Sequence, residues 1–120
     1  MKPWVIGLIV VAIAGALVFV YFKNQPPDMT SLPDGTTIYD TRTADEYATS
    51  HVTSAELWPL SDLQAGKFPT VNKDAWVAVY SQSSNRSKES ADLLKKAGYK
   101  HVIDMHSIED TANYGLSIVR

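Results

Sequence analysis

The sequence predicts an α/β domain, a small and largely parallel sheet flanked by helices, preceded by one N-terminal transmembrane helix. Three observations carry this expectation. From Thr37 onward, short β-branched and aromatic stretches alternate with amphipathic ones, the pattern of strand–helix units joined into a parallel sheet. Trp76 to Tyr80 is five apolar residues in a row, as expected of a strand covered on both faces. Trp4 to Phe22 is an unbroken run of 19 uncharged residues. As a helix it would be about 28 Å long, close to the roughly 30 Å hydrocarbon core of a bilayer.

The chain has 120 residues, room for one small domain and an appendage. It divides into an anchor at 1–23, a linker at 24–36 and a domain at 37–120. Trp4 and Tyr21 stand at the ends of the apolar run, where amphipathic rings favour the interface, and Lys2 and Lys23 flank it. A buried core helix is a poor alternative, because the run has no polar face. Ala12-Ile13-Ala14 resembles a signal-peptidase triplet. Cleavage there would leave Leu17 to Phe22 as an apolar tail, so an uncleaved single-pass anchor is expected. Ala12 and Ala16 form a small-xxx-small pair, a weak signal for a homodimer through the membrane helix. The basic flanks lean slightly towards an extracytoplasmic domain.

Residues 24–120 carry nine Lys and Arg against thirteen Asp and Glu, a net charge of −4. No basic cluster suggests nucleic acid. The chain has no cysteine, which excludes disulfides and leaves the compartment open. No His/Asp/Glu spacing suggests a metal, and no cofactor is implied.

Pro26-Pro27, Pro33 and Asp34-Gly35 give the linker its turn chemistry. Thr37 to Asp40 then reads as a strand. Thr43 to Ser50 reads as a helix opened by a capping box, Thr43 with Glu46; Glu46 can also pair with Arg42. Ala55 to Trp58 is a second strand and Ser61 to Ala65 a short helix. After the strand at 76–80 comes a polar loop, then a helix at 87–97. Ala91, Leu94 and Ala97 form its apolar stripe, and Gly98 is placed to end it. A strand at 101–104 and a short helix at 108–114 complete the domain.

The loop lies within VYSQSSNRSKES, residues 79–90. Ser81, Gln82, Ser83, Ser84, Asn85 and Arg86 lead from a buried strand into a helix. Backbone N–H groups and the helix dipole favour an anion at such a junction. Arg86 adds a planar fork suited to sulfate, thiosulfate or phosphate. The alternative is that Arg86 pairs with a carboxylate and the serines only cap the helix.

Several segments in order resemble rhodanese-like domains. Asp40-Thr41-Arg42-Thr43-Ala44-Asp45-Glu46-Tyr47 matches that family's D-x-R-x-x-x-E-[YF], and His51-Val52-Thr53-Ser54-Ala55 is similar to its H-[IV]-P-G-A. Val77 to Tyr80, Asn85-Arg86-Ser87, Ala91 to Tyr99 and Gly115 to Val119 continue the likeness. The resemblance implies a fold in which a loop cysteine, in C-x-x-G-x-R, carries sulfane sulfur as a persulfide. In this chain Ser81 occupies the cysteine position and Ser84 the glycine position; Arg86 remains. A serine cannot form a persulfide and is a far weaker acid than a thiol. Met105-His106-Ser107 replaces the family's Gly-Gly before the last helix.

The sequence therefore points to a membrane-anchored rhodanese-like domain without sulfur transfer. It would act as an anion-binding or protein-interaction module through Ser81 to Arg86. Asp40, Arg42, Glu46 and His51 are expected to be structural. The alternative is a thiosulfate sulfurtransferase whose native cysteine at position 81 has been replaced by serine.

Overall fold

The computed structural model describes residues 31–120. The apolar run at 4–22, its Ala12–Ala16 pair and the Pro26-Pro27 part of the linker lie outside the described residues. Among the described residues no helix is long and apolar enough to cross a membrane.

Among the described residues, six strands and three α-helices follow one another. They are β1 (Thr37–Asp40), α1 (Ala44–Thr49), β2 (His51–Val52), β3 (Ala55–Leu57), α2 (Leu60–Gln64), β4 (Trp76–Ser81), α3 (Ser84–Lys96), β5 (His101–Ser107) and β6 (Ile118–Val119). A 3-10 helix at Glu109–Tyr114 stands between β5 and β6. The main sheet runs β3-β1-β4-β5, with every neighbouring pair parallel. The expected α/β architecture is present. β2 and β6 form a separate antiparallel pair, His51 against Val119, which has no counterpart in the sequence reading.

Val77 to Tyr80 of the apolar run are buried on both faces of β4, as expected, whereas Trp76 at its start is exposed. Ala78 and Tyr80 enter a core with Ile38, Val52, Ile103 and Met105. Val77 and Val79 enter the other, with Tyr39, Leu63, Ala91 and Leu94. α1 carries the capping box: Thr43 Oγ1 accepts from Glu46 N at 3.2 Å, and Thr43 N donates to Glu46 Oε1 at 3.2 Å. Gly98 ends α3 with φ +103°, its N–H on Lys95 O and that of Tyr99 on Leu94 O, a Schellman motif.

Three boundaries around the β4–α3 junction and β5 differ from the expectation. α3 begins at Ser84 rather than Ser87, because Ser83 is the N-cap and accepts from Arg86 N at 3.3 Å. β4 continues through an irregularity so that Ser81 pairs with Ser107, which also lengthens β5 beyond Asp104. The junction between β4 and α3 is thus only Gln82 and Ser83.

His106 sits in β5 at φ +70°, the only non-glycine residue with positive φ among the described residues. This is where the resemblance expects glycine. The left-handed conformation costs a side-chain-bearing residue about 1–2 kcal/mol, partly offset by the greater chain entropy that glycine loses on folding. His106→Gly is expected to raise stability by about 0.5 kcal/mol, read as a higher urea midpoint at unchanged slope. A lower midpoint would mean that the imidazole holds the bulge.

Candidate functional site

Parallel strands bring their C-terminal ends to one edge, so Asp40, Leu57 and Ser81 close the same end of the sheet. Asp40 is fully buried and organises this end. Its Oδ1 accepts from Arg42 N at 2.9 Å and from Arg42 Nε at 3.1 Å. Its Oδ2 accepts from Arg42 Nη2 at 2.8 Å and from the Tyr80 hydroxyl at 2.7 Å. Arg42 Nη2 also donates to Ser50 O, and Tyr80 Oη accepts from Val52 N at 2.9 Å. One carboxylate thereby ties β1 to β4, to the end of α1 and to β2.

Burial alone works against the charge on Arg42, but its hydrogen bond to Asp40 and Asp40's charge outweigh that and raise its pKa. Burial also pushes the Tyr80 phenol up, helped by Asp40. Both groups are held in one protonation state, which suits a structural strut.

The other expected support residues lie nearby. Glu46 completes the cap of α1, and no Glu46–Arg42 ion pair occurs among the described residues. His51 places Nδ1 2.9 Å from Tyr47 O and stacks on the Tyr47 ring at 3.9 Å and 10°.

The six residues expected to form one cradle do not converge. Ser81 is fully buried, and its Oγ has no hydrogen-bond partner among the described residues. Strand alternation puts it on the side of Val77 and Val79, beneath α3. Ser83 is used as the helix cap, and Ser84, Asn85 and Arg86 form the exposed first turn of α3. Gln82 faces a depression of about 310 Å³ that it shares with Arg42, Glu46 and Glu109. Asn85 lines a separate one beside Lys88, Glu89 and Asp92.

Arg86 lines a third, about 380 Å³, walled by Thr41 to Ala44, Pro59 to Ser61 and Gln64. No carboxylate lines that groove, and Arg86 makes no ion pair among the described residues. Of the six, Arg86 alone has surroundings that suit an anion.

No group among the described residues is hydrogen-bonded to Ser81 Oγ, so none is placed to act as its base. The nearest arrangement to a hydrolytic triad is Ser87, whose Oγ donates to Asp104 Oδ1, with His106 Nδ1 3.8 Å from Asp104 Oδ2. The carboxylate lies between the serine and the imidazole, so the histidine cannot take the serine proton. Ser87 is also fully buried. No group of three His, Asp or Glu side chains suited to a metal occurs among the described residues.

Sequence reasoning missed Tyr80 and the Thr41–Ser90 contact, where Ser90 Oγ lies 2.9 Å from Thr41 Oγ1. Tyr80 reads as one more core residue in an apolar run. Its hydroxyl was the available signal, since a buried Tyr hydroxyl requires a partner.

The fold has known counterparts. The family model of the rhodanese-like domain matches residues 26–107. A rhodanese-like domain from Anabaena sp. aligns at 23% identity and TM-score 0.64, over 72% of this chain and 100% of that one. A rhodanese with anions from E. coli aligns at 26% identity and TM-score 0.61, over 72% and 99%. The human single-domain sulfurtransferase aligns at 17% identity and TM-score 0.51, over 57% and 72%. No curated protein matches the chain. With the family match covering more than half of its length and rhodanese-like domains among the solved structures that share its fold, the chain belongs to the rhodanese-like domain family.

Proposed function

We propose that this protein is a non-catalytic member of its family, held at a membrane by residues 4–22 and recognising an oxyanion or an anionic group on a partner protein. The observation that carries the reading is Ser81. It stands where the family carries its persulfide cysteine, has no hydrogen-bond partner and is sealed from solvent. A hydroxyl in that position neither accepts sulfane sulfur nor ionises to attack a donor.

Support for anion recognition comes from Arg86, an exposed guanidinium beside Thr43 and Ser61 in a groove without carboxylates. A rhodanese from E. coli is described with anions, and sulfate, thiosulfate and phosphate suit the guanidinium fork, which makes them the probes. The apolar run and its basic flanks support the anchor, with the domain on the extracytoplasmic side.

Titration of the protein with sulfate, thiosulfate or phosphate tests the site. Amide resonances of Thr43, Ser61 and Arg86 are expected to move, with a dissociation constant in the millimolar range. Arg86→Ala should weaken binding about tenfold, the loss of one charge-assisted contact. If the wild-type resonances stay still at saturating anion, the groove does not recognise oxyanions and only protein contact is left. Thiosulfate:cyanide turnover by the wild-type chain would overturn the non-catalytic reading.

A further inference from the structure

We infer that the end of the sheet where β4 and β5 begin is a docking surface for an anionic lipid bilayer. It lies opposite the Asp40–Ser81 end. Thr37 pairs with Val77 and Trp76 with His101, so the strands start together there. α3 delivers its last turn to the same end, because the chain passes directly from Lys96 through Gly98 into β5.

Four exposed lysines gather at this end, Lys73, Lys95, Lys96 and Lys100, against Asp34, Asp74 and Asp92, the last one turn back on α3 from Lys95 and Lys96. The rest of the described chain is acidic, five Lys and Arg against nine Asp and Glu. The domain therefore has one basic pole. Lys100 contacts Asp74 at 2.8 Å, but both side chains are about two-thirds exposed, and such pairs are weak.

Trp76 stands at the same pole. It is 40% exposed and lies flat against His101, ring centroids 4.6 Å apart at 20°. An exposed tryptophan among lysines is the composition that settles at a headgroup interface.

The inference rests on the proposed anchor at 4–22. Leu32 already packs against the core, and Phe22 ends the apolar run. The nine residues between them make ten Cα–Cα steps and reach at most about 35 Å, so the domain stays close to the bilayer. Lysines attract anionic lipid only within about a Debye length of the surface. The basic pole is the face that gains from approach, and the acidic remainder is repelled. Docked in this way, the Arg86 groove faces away from the membrane.

The full chain, reconstituted in phosphatidylcholine vesicles with or without phosphatidylglycerol, tests this through quenching by brominated acyl chains. The chain has three tryptophans. Trp4→Phe leaves Trp58 and Trp76 to report, and the further change Trp76→Phe supplies the blank. Trp76 emission is expected to be quenched over brominated phosphatidylglycerol. Replacing Lys95 and Lys96 by Gln should lower the docked-to-undocked ratio at least about tenfold. About 1 M salt, where the Debye length is about 3 Å, should do the same.

Equal Trp76 emission over brominated and ordinary lipid overturns the docking surface. The separate Trp76→Phe protein reports on Trp4. Trp4 quenched with Trp76 unquenched rejects the docking and keeps the anchor, whereas Trp4 unquenched rejects the anchor.

Discussion

Asp40→Ala is expected to be the most damaging single substitution in the domain, costing about 3–5 kcal/mol. A domain of this size has a total stability of about 5–13 kcal/mol, so the loss takes from about a quarter to all of it and the variant should unfold at a much lower urea concentration. The size of the effect follows from what the carboxylate leaves behind. Arg42, with a side chain only 4% exposed, would keep a charge that it cannot shed. The Tyr80 hydroxyl and the Arg42 backbone N–H would also lose their acceptor in a buried setting.

Replacing both partners with apolar residues of similar volume, Asp40→Leu with Arg42→Met, should restore part of the loss, since no charge is then stranded. Urea denaturation of the two proteins measures the difference. A single variant within about 1 kcal/mol of wild type would show that water reaches Arg42 easily and that the buried pair is dispensable.

This pair also marks how far the sequence is legible. Asp40 and Arg42, two residues apart, read as structural from the sequence, and the capping box at Thr43 and Glu46 is local chemistry that any reading can find. Gly98 is legible for the same reason: one residue type, one turn, one conformation. The start of α3 is different. Ser83, Ser84 and Ser87 are all competent caps, and local preference does not choose among them.

The choice comes from tertiary pairing. Ser81 joins Ser107 across the sheet and Ile108 N donates to Ser81 O at 2.9 Å, which consumes the first loop residue and leaves room only for Ser83 to cap. The β2–β6 pair is hidden for a related reason. Each strand is two residues long, too short for a periodicity, and the two meet only after the intervening fold is built. The apparent cradle was therefore legible as a composition, whereas its dispersal into three surroundings depends on where a helix starts.

Ser81→Cys alone is expected to leave thiosulfate:cyanide sulfurtransfer at background, although it restores the residue that the family uses. A thiol must ionise and meet its donor to carry sulfur. Position 81 is fully buried, and no group among the described residues donates a hydrogen bond to the Ser81 hydroxyl, so a thiolate there would be unsupported. Arg86 opens into a groove whose walls do not include residue 81.

The same substitution should raise stability by about 1 kcal/mol, because a buried hydroxyl without a partner gives way to a group that tolerates apolar surroundings. The thiol should react with an aromatic disulfide reagent only on unfolding. Adding Ser84→Gly weakens the first turn of α3, since glycine is the poorest helix former after proline, and lets the chain between 81 and 86 leave the helix. Activity is expected only in that double variant, together with thiol reactivity under native conditions. Turnover by Ser81→Cys alone would mean that α3 unwinds from Ser84 to Arg86 in solution. The chain would then be a sulfurtransferase lacking only its sulfur atom.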